Sequence, residues 1–180
     1  NLVVVLWTLL TSLTPPTYTP CLLKMSETIQ IYTDGSAHYK TQYGAWAFIA
    51  VHPDGTEEPH CKAYEGVTNN KMELMAVLEA IDWIIKRTPA ERQGKIPDYH
   101  IISDSEYVVN GVNTWRVAWK AKGWKNVKNL PLWLAMDTVL GTIRDLGVVL
   151  RVTWVRGHDG NKYNEKCDKI AHGEYRKLAE

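Results

Sequence analysis

A single change of hydrophobic period restricts this chain's fold more than any other feature. Across residues 28–65 apolar side chains alternate or run in short blocks: TIQIYT at 28–33, YGAWAFIAV at 43–51, and a weaker stretch at 57–65. Turn formers such as His52-Pro53-Asp54-Gly55 divide them, so three consecutive strands are expected, joined as an antiparallel meander. Over residues 70–87 the period becomes 3.6: Met72, Leu74, Val77, Leu78, Ile81 and Ile84 define one face of a helix that should stop near Pro89. Glu73 interrupts that face. At 100° per residue it points within about 40° of Val77 and Ile84, whereas Glu79, Asp82 and Lys86 collect on the opposite side.

The remainder alternates. A short apolar strand at 99–103 precedes short helices at 105–112 and 114–121, a longer helix at 132–146, a strand at 148–155 and a final helix at 163–178. Late strands separated by helices should be parallel, because a crossover helix returns the chain to the same end of the sheet. The order βββαβαααβα therefore predicts an α/β fold on a mixed sheet.

Four carboxylates occupy meaningful places in that plan. Asp34 should end the first strand and Asp104 the fourth, while Asp168 lies near the start of the last helix. Parallel strands place their carboxyl ends on one edge, where open α/β sheets bind ligands. If Glu73 and Asp168 reach the same edge, four like charges converge and need compensation. Oxygen-ligated Mg²⁺ is suited to that role when substrate phosphates complete its coordination, and paired ions support phosphodiester cleavage. Taken singly, each residue has an ordinary explanation: a turn Asp before Gly, a first-turn Glu favoured by the helix dipole, a solvated helix Asp.

A net charge of +1 on 180 residues excludes a nonspecific polycation. Cys21, Cys61 and Cys167 form no C-x-x-C pair, which argues against a disulfide framework or structural zinc and fits a reducing, cytoplasmic setting. No charged side chain occurs before Lys24, yet prolines at 15, 16 and 20 interrupt the apolar run, which is too short to span a membrane. Residues 1–25 are expected to be an extension, disordered or outside the native reading frame, with one catalytic domain over 26–180.

The motifs IYTDGS (31–36), TNNKMELMA (68–76), SDSEYVVNGV (103–112), WKAKGWK (119–125) and WVRGHDGNKYNEKCDKIA (154–171) resemble, in order, those of type 1 ribonuclease H in its bacterial form. The resemblance implies a five-stranded mixed sheet with helices on both faces. It also implies two-metal-ion, Mg²⁺-dependent cleavage of the RNA strand of an RNA:DNA hybrid, leaving 5′-phosphate and 3′-hydroxyl ends. Mn²⁺ would substitute, and the enzyme would act as a monomer without a membrane partner. Asp34, Glu73, Asp104 and Asp168 would be the metal ligands, and His158 the loop histidine that assists proton transfer and product departure.

Substrate contacts follow from the same resemblance. Gly35, Ser36, Asn69, Asn70 and Glu106 match groups that read the RNA 2′-hydroxyl. Glu106 is a departure, because the family commonly has Gln there and a carboxylate only accepts. Residues 113–128 interleave Arg116, Lys120, Lys122, Lys125 and Lys128 with Trp115, Trp119 and Trp124 and contain no acid. Such a segment suits the DNA strand, with at least one Trp anchoring the helix to the core. Thr68 and Asn129 match positions that hold a DNA phosphate. Two further departures are the bulky 37–42 loop, where the family often has glycines, and the 88–97 insertion, expected to be a surface loop. A noncatalytic hybrid-binding module and a DNA-cutting nuclease of the same fold are the competing readings.

Overall fold

The computed structural model describes residues 27–91 and 96–178, so the expected 1–25 extension lies outside the described residues. Strands β1 (Thr28–Ala37), β2 (Gly44–Val51) and β3 (Glu57–Tyr64) form the meander, followed by α1 (Asn69–Glu91) and β4 (Asp98–Ser103). Helix α2 (Glu106–Asn110) runs through a π-helical turn, Gly111–Trp115, into α3 (Arg116–Ala121). Next come α4 (Leu130–Asp145), β5 (Leu150–Trp154) and α5 (Lys162–Arg176). The sheet order is β3-β2-β1-β4-β5, antiparallel on one side of β1 and parallel on the other.

Alternation along β1 supplies both faces of the sheet. Ile29 and Ile31 enter a core shared with Met72, Leu74, Val77 and Ile81 of α1 and Trp133 and Met136 of α4. Tyr32, on the other face, joins Ala47, Ile102, Cys167 and Ala171 beneath α5. Trp133 fixes α4: it is fully buried, its ring crosses those of Tyr107 and Trp119, and its indole N–H donates to Tyr107 Oη at 2.7 Å.

Two expectations need correction. Asp34 does not end β1. Pairing with β4 stops at Thr33 opposite Ser103, but β1 continues against β2 from Asp34 opposite Ala47 to Ala37 opposite Gly44. Nor does α1 stop before Pro89. It runs to Glu91, so residues 88–91 of the expected surface loop are helical and Thr88 is fully buried. Pro89 removes only one amide donor near the helix end, and Thr88 Oγ1 donates to the Ile84 carbonyl at 2.8 Å in that turn.

Candidate active site

Pairing of β1 with β4 ends one residue before Asp34, which lies buried beside the C-terminal end of β4. Gly35 brings α1 to this point. A Cβ on Gly35 would stand 2.1 Å from the Glu73 amide nitrogen, so a glycine is required for close approach of strand and helix, not for a turn. That contact places Glu73 next to Asp34 although 39 positions separate them in sequence. On the opposite face, Cys167 is fully buried and its thiol donates to the Tyr32 carbonyl at 3.2 Å, which seats α5 and positions the neighbouring Asp168. Asp104 follows the last residue of β4, and its carbonyl accepts from Trp154 Nε1 at 2.9 Å.

The result is a polar cleft of about 300 Å³ lined by Asp34, Glu73, Asp104 and Asp168 together with Gly35, Ser36, Asn69, His158 and His172. Burial, then the neighbouring Asp104, raises the Asp34 carboxyl to about 8, with Asp168 and Glu73 adding to the effect. Burial also raises Glu73, opposed by its hydrogen bonds. Ser105 Oγ donates to Glu73 Oε2 at 2.6 Å and Asn69 Nδ2 to Oε1 at 2.7 Å. Both Glu73 oxygens are thereby turned toward protein donors, and among the described residues no three acidic, histidine or cysteine groups are closely arranged to hold an ion. The donor set is nonetheless the one a hard divalent cation takes: clustered carboxylates whose mutual repulsion a cation relieves.

His158 stands on the loop before α5, exposed and with a left-handed backbone at φ 53°. Thr68, Asn70 and Glu106 are exposed near the cleft but do not line it. The basic, Trp-rich segment forms a separate surface on α3 and the turns after it. There Trp119 and Trp124 lean on the core, Trp115 remains 40% exposed, and Lys122 and Lys125 are exposed. Lys120 is engaged: its ammonium meets Asp137 of α4 at 2.7 Å, and Arg116 pairs with the other oxygen of the same carboxylate. Asn129 adopts φ 56° and donates to Tyr107 Oη at 3.3 Å.

Two residues that touch the acidic groups escape a reading by motif. Ser105 looks like a helix cap, and it is one, accepting from the Val108 amide at 3.4 Å; its second bond to Glu73 depends on tertiary packing. His172 lies one helical turn after Asp168, with Nε2 at 3.7 Å from that carboxylate and Nδ1 at 2.8 Å from Tyr175 Oη. Its i,i+4 spacing from Asp168 was the available signal.

The profile of the family described as RNase H matches residues 26–176. This chain belongs to the RNase H family. It is 40% identical over 156 residues to a ribonuclease H of Treponema denticola, spanning 79% of this chain and 94% of that protein. Among solved structures, it resembles LC9-RNase H1, described as a type 1 RNase H with the type 2 active-site motif. The TM-score is 0.68 at 23% identity, over 84% of this chain and 74% of that one. LC11-RNase H1, solved in complex with an RNA/DNA hybrid, gives a TM-score of 0.62 at 16% identity, over 84% of this chain and 99% of that one. As a member of the ribonuclease H family the chain is an endoribonuclease. Among the described residues no helix is long and apolar enough to cross a membrane.

Proposed function

We propose that this RNase H hydrolyses the RNA strand of RNA:DNA hybrids by two-metal-ion chemistry, acting as a cytoplasmic monomer and leaving 5′-phosphate and 3′-hydroxyl ends. The observation that carries the proposal is the convergence of Asp34, Glu73, Asp104 and Asp168 on one cleft beside Ser36 and Asn69. Those four carboxylates would hold divalent cations, Mg²⁺ with Mn²⁺ as a substitute, whose positive charge would favour deprotonation of an attacking water and ease departure of the 3′ oxygen.

The chain's own residues do the rest. Ser105 and Asn69 keep Glu73 from swinging into solvent. Gly35, Ser36 and Asn69 border the scissile position, where main-chain and amide groups can sense the 2′-hydroxyl; Thr68, Asn70 and Glu106 flank it. His158, at the exposed mouth, is placed to take up or deliver a proton as the product leaves. Trp115, Trp119, Trp124, Lys122 and Lys125, with Lys120 and Asn129, engage the DNA strand.

One labelled strand, presented as hybrid, duplex RNA, duplex DNA and single strand with and without Mg²⁺, tests the reading. Metal-dependent cleavage confined to RNA in the hybrid is expected. Cutting of duplex DNA, or binding without cleavage, would replace it with one of the competing readings.

A further inference from the structure

A second cavity, of about 630 Å³, lies away from the acidic cleft, between the π-helical turn and α3 on one side and α4 on the other, with β5 as its floor. Its walls are apolar: Val112, Leu140, Ile143, Val148, Leu150 and Val152. Its charged groups are unbalanced. Arg116 and Lys120 share the single carboxylate of Asp137, while Arg144, mostly solvated, is paired with its own neighbour Asp145. Arg116 is partly buried, with its Nε covered and its Nη1 on Asp137, whereas the Lys120 ammonium is mostly exposed.

Gly141 is a point from which the cavity can be filled. It lies within α4 and lines the space, where glycine disfavours helix relative to alanine. No close packing demands it, because nothing lies within 4 Å of where its Cβ would stand. Gly35 is the contrast, since there a Cβ would collide with the backbone of α1. At Gly141 the missing side chain leaves only space.

We propose that this cavity is a binding site for a small amphipathic carboxylate, with its hydrocarbon part against Leu140, Val148 and Val152 and its anionic head at the ammonium of Lys120, the more exposed of the two cations that Asp137 alone neutralises. Mixed apolar walls with a few convergent polar groups are typical of small-molecule sites. A free inorganic anion would leave the apolar walls unused, and an uncharged alkane would leave the surplus cation unmatched.

The test uses decanoate below its micelle concentration, with decan-1-ol as the uncharged control, on the full chain and on Gly141→Ala and Gly141→Leu. Decanoate should raise Tm by about 3 °C at a tenfold excess over Kd for the parent and the alanine variant. The leucine variant, its cavity filled, should lose most of that shift, and decan-1-ol should give little. An equal shift for alanine and leucine variants, or for acid and alcohol, overturns the proposal. Should Gly141→Leu fail to fold, amide chemical shifts of the parent chain decide: perturbations centred on Val112, Gly141 and Val152 support the site, and perturbations elsewhere or none overturn it.

Discussion

Ser105 Oγ donates to Glu73 Oε2 at 2.6 Å, joining the residue that opens α2 to the one carboxylate that α1 contributes to the cleft. The same hydroxyl accepts from the Val108 amide, so one side chain caps a helix and orients a cleft residue. Ser105→Ala should lower kcat/KM on a hybrid by roughly tenfold, the scale seen when partners of metal-ligating groups are removed, and weaken Mg²⁺ binding measured by calorimetry. The lost cap should cost about 1 kcal/mol of stability. Ser105→Thr, which restores the hydroxyl, should recover activity; loss of stability alone, with kinetics and metal binding intact, would reduce Ser105 to a cap.

Asp34 couples stability to pH. Its carboxyl is raised from 3.8 to about 8, so the folded chain holds a proton that the unfolded chain has released. The associated stability is complete below pH 3.8 and is lost as pH rises through 8, because the unfolded state binds fewer protons across that window. Asp34→Asn should therefore abolish cleavage yet raise metal-free stability at pH 8 by roughly 1–2 kcal/mol in urea melts, removing a buried charge among like charges. Added Mg²⁺ should narrow the gap by stabilising the parent chain. A less stable Asn variant at pH 8, or wild-type cleavage, would contradict this account.

Gly35 sets the distance between β1 and α1. Gly35→Ala puts a methyl 2.1 Å from the Glu73 nitrogen and must push the helix outward. A loss of about 3 kcal/mol or more is expected by denaturant titration, accompanied by impaired cleavage as Glu73 moves with its helix. A loss below about 0.5 kcal/mol would show that the two elements separate freely.

Not every cation on the basic segment should count equally. Lys122 and Lys125 are exposed, whereas Lys120 is held by Asp137 at 2.7 Å. Alanine at Lys122 or Lys125 should reduce the slope of log K against log salt for hybrid binding by roughly 0.7–0.9 for each phosphate the variant no longer neutralises. Lys120→Ala should change it less, and Asp137→Asn, which releases both Lys120 and Arg116, should tighten binding at low salt. Equal slopes for all three lysine variants would dismiss the role given to Asp137.

The sequence carried much of this molecule. The shift from period 2 to period 3.6 implied three strands and then a helix, and the later alternation implied parallel strands; the sheet has that order. Five ordered motifs pointed to the family, and Glu73 on an apolar stripe signalled a carboxylate with somewhere inward to go. These signals are local, written in the spacing of neighbours along one element. What only the tertiary structure decided lies between elements. Asp34 continues a strand because β2 pairs with it after β4 has ended. Ser105 reaches Glu73 across 32 positions, and Asp137 takes the charge of Arg116 and Lys120 from a helix the basic segment cannot foresee. Periodicity dictates which face of an element is buried; which particular side chains then meet depends on how the elements pack, and hydrogen bonds and ion pairs act only over those last few ångströms.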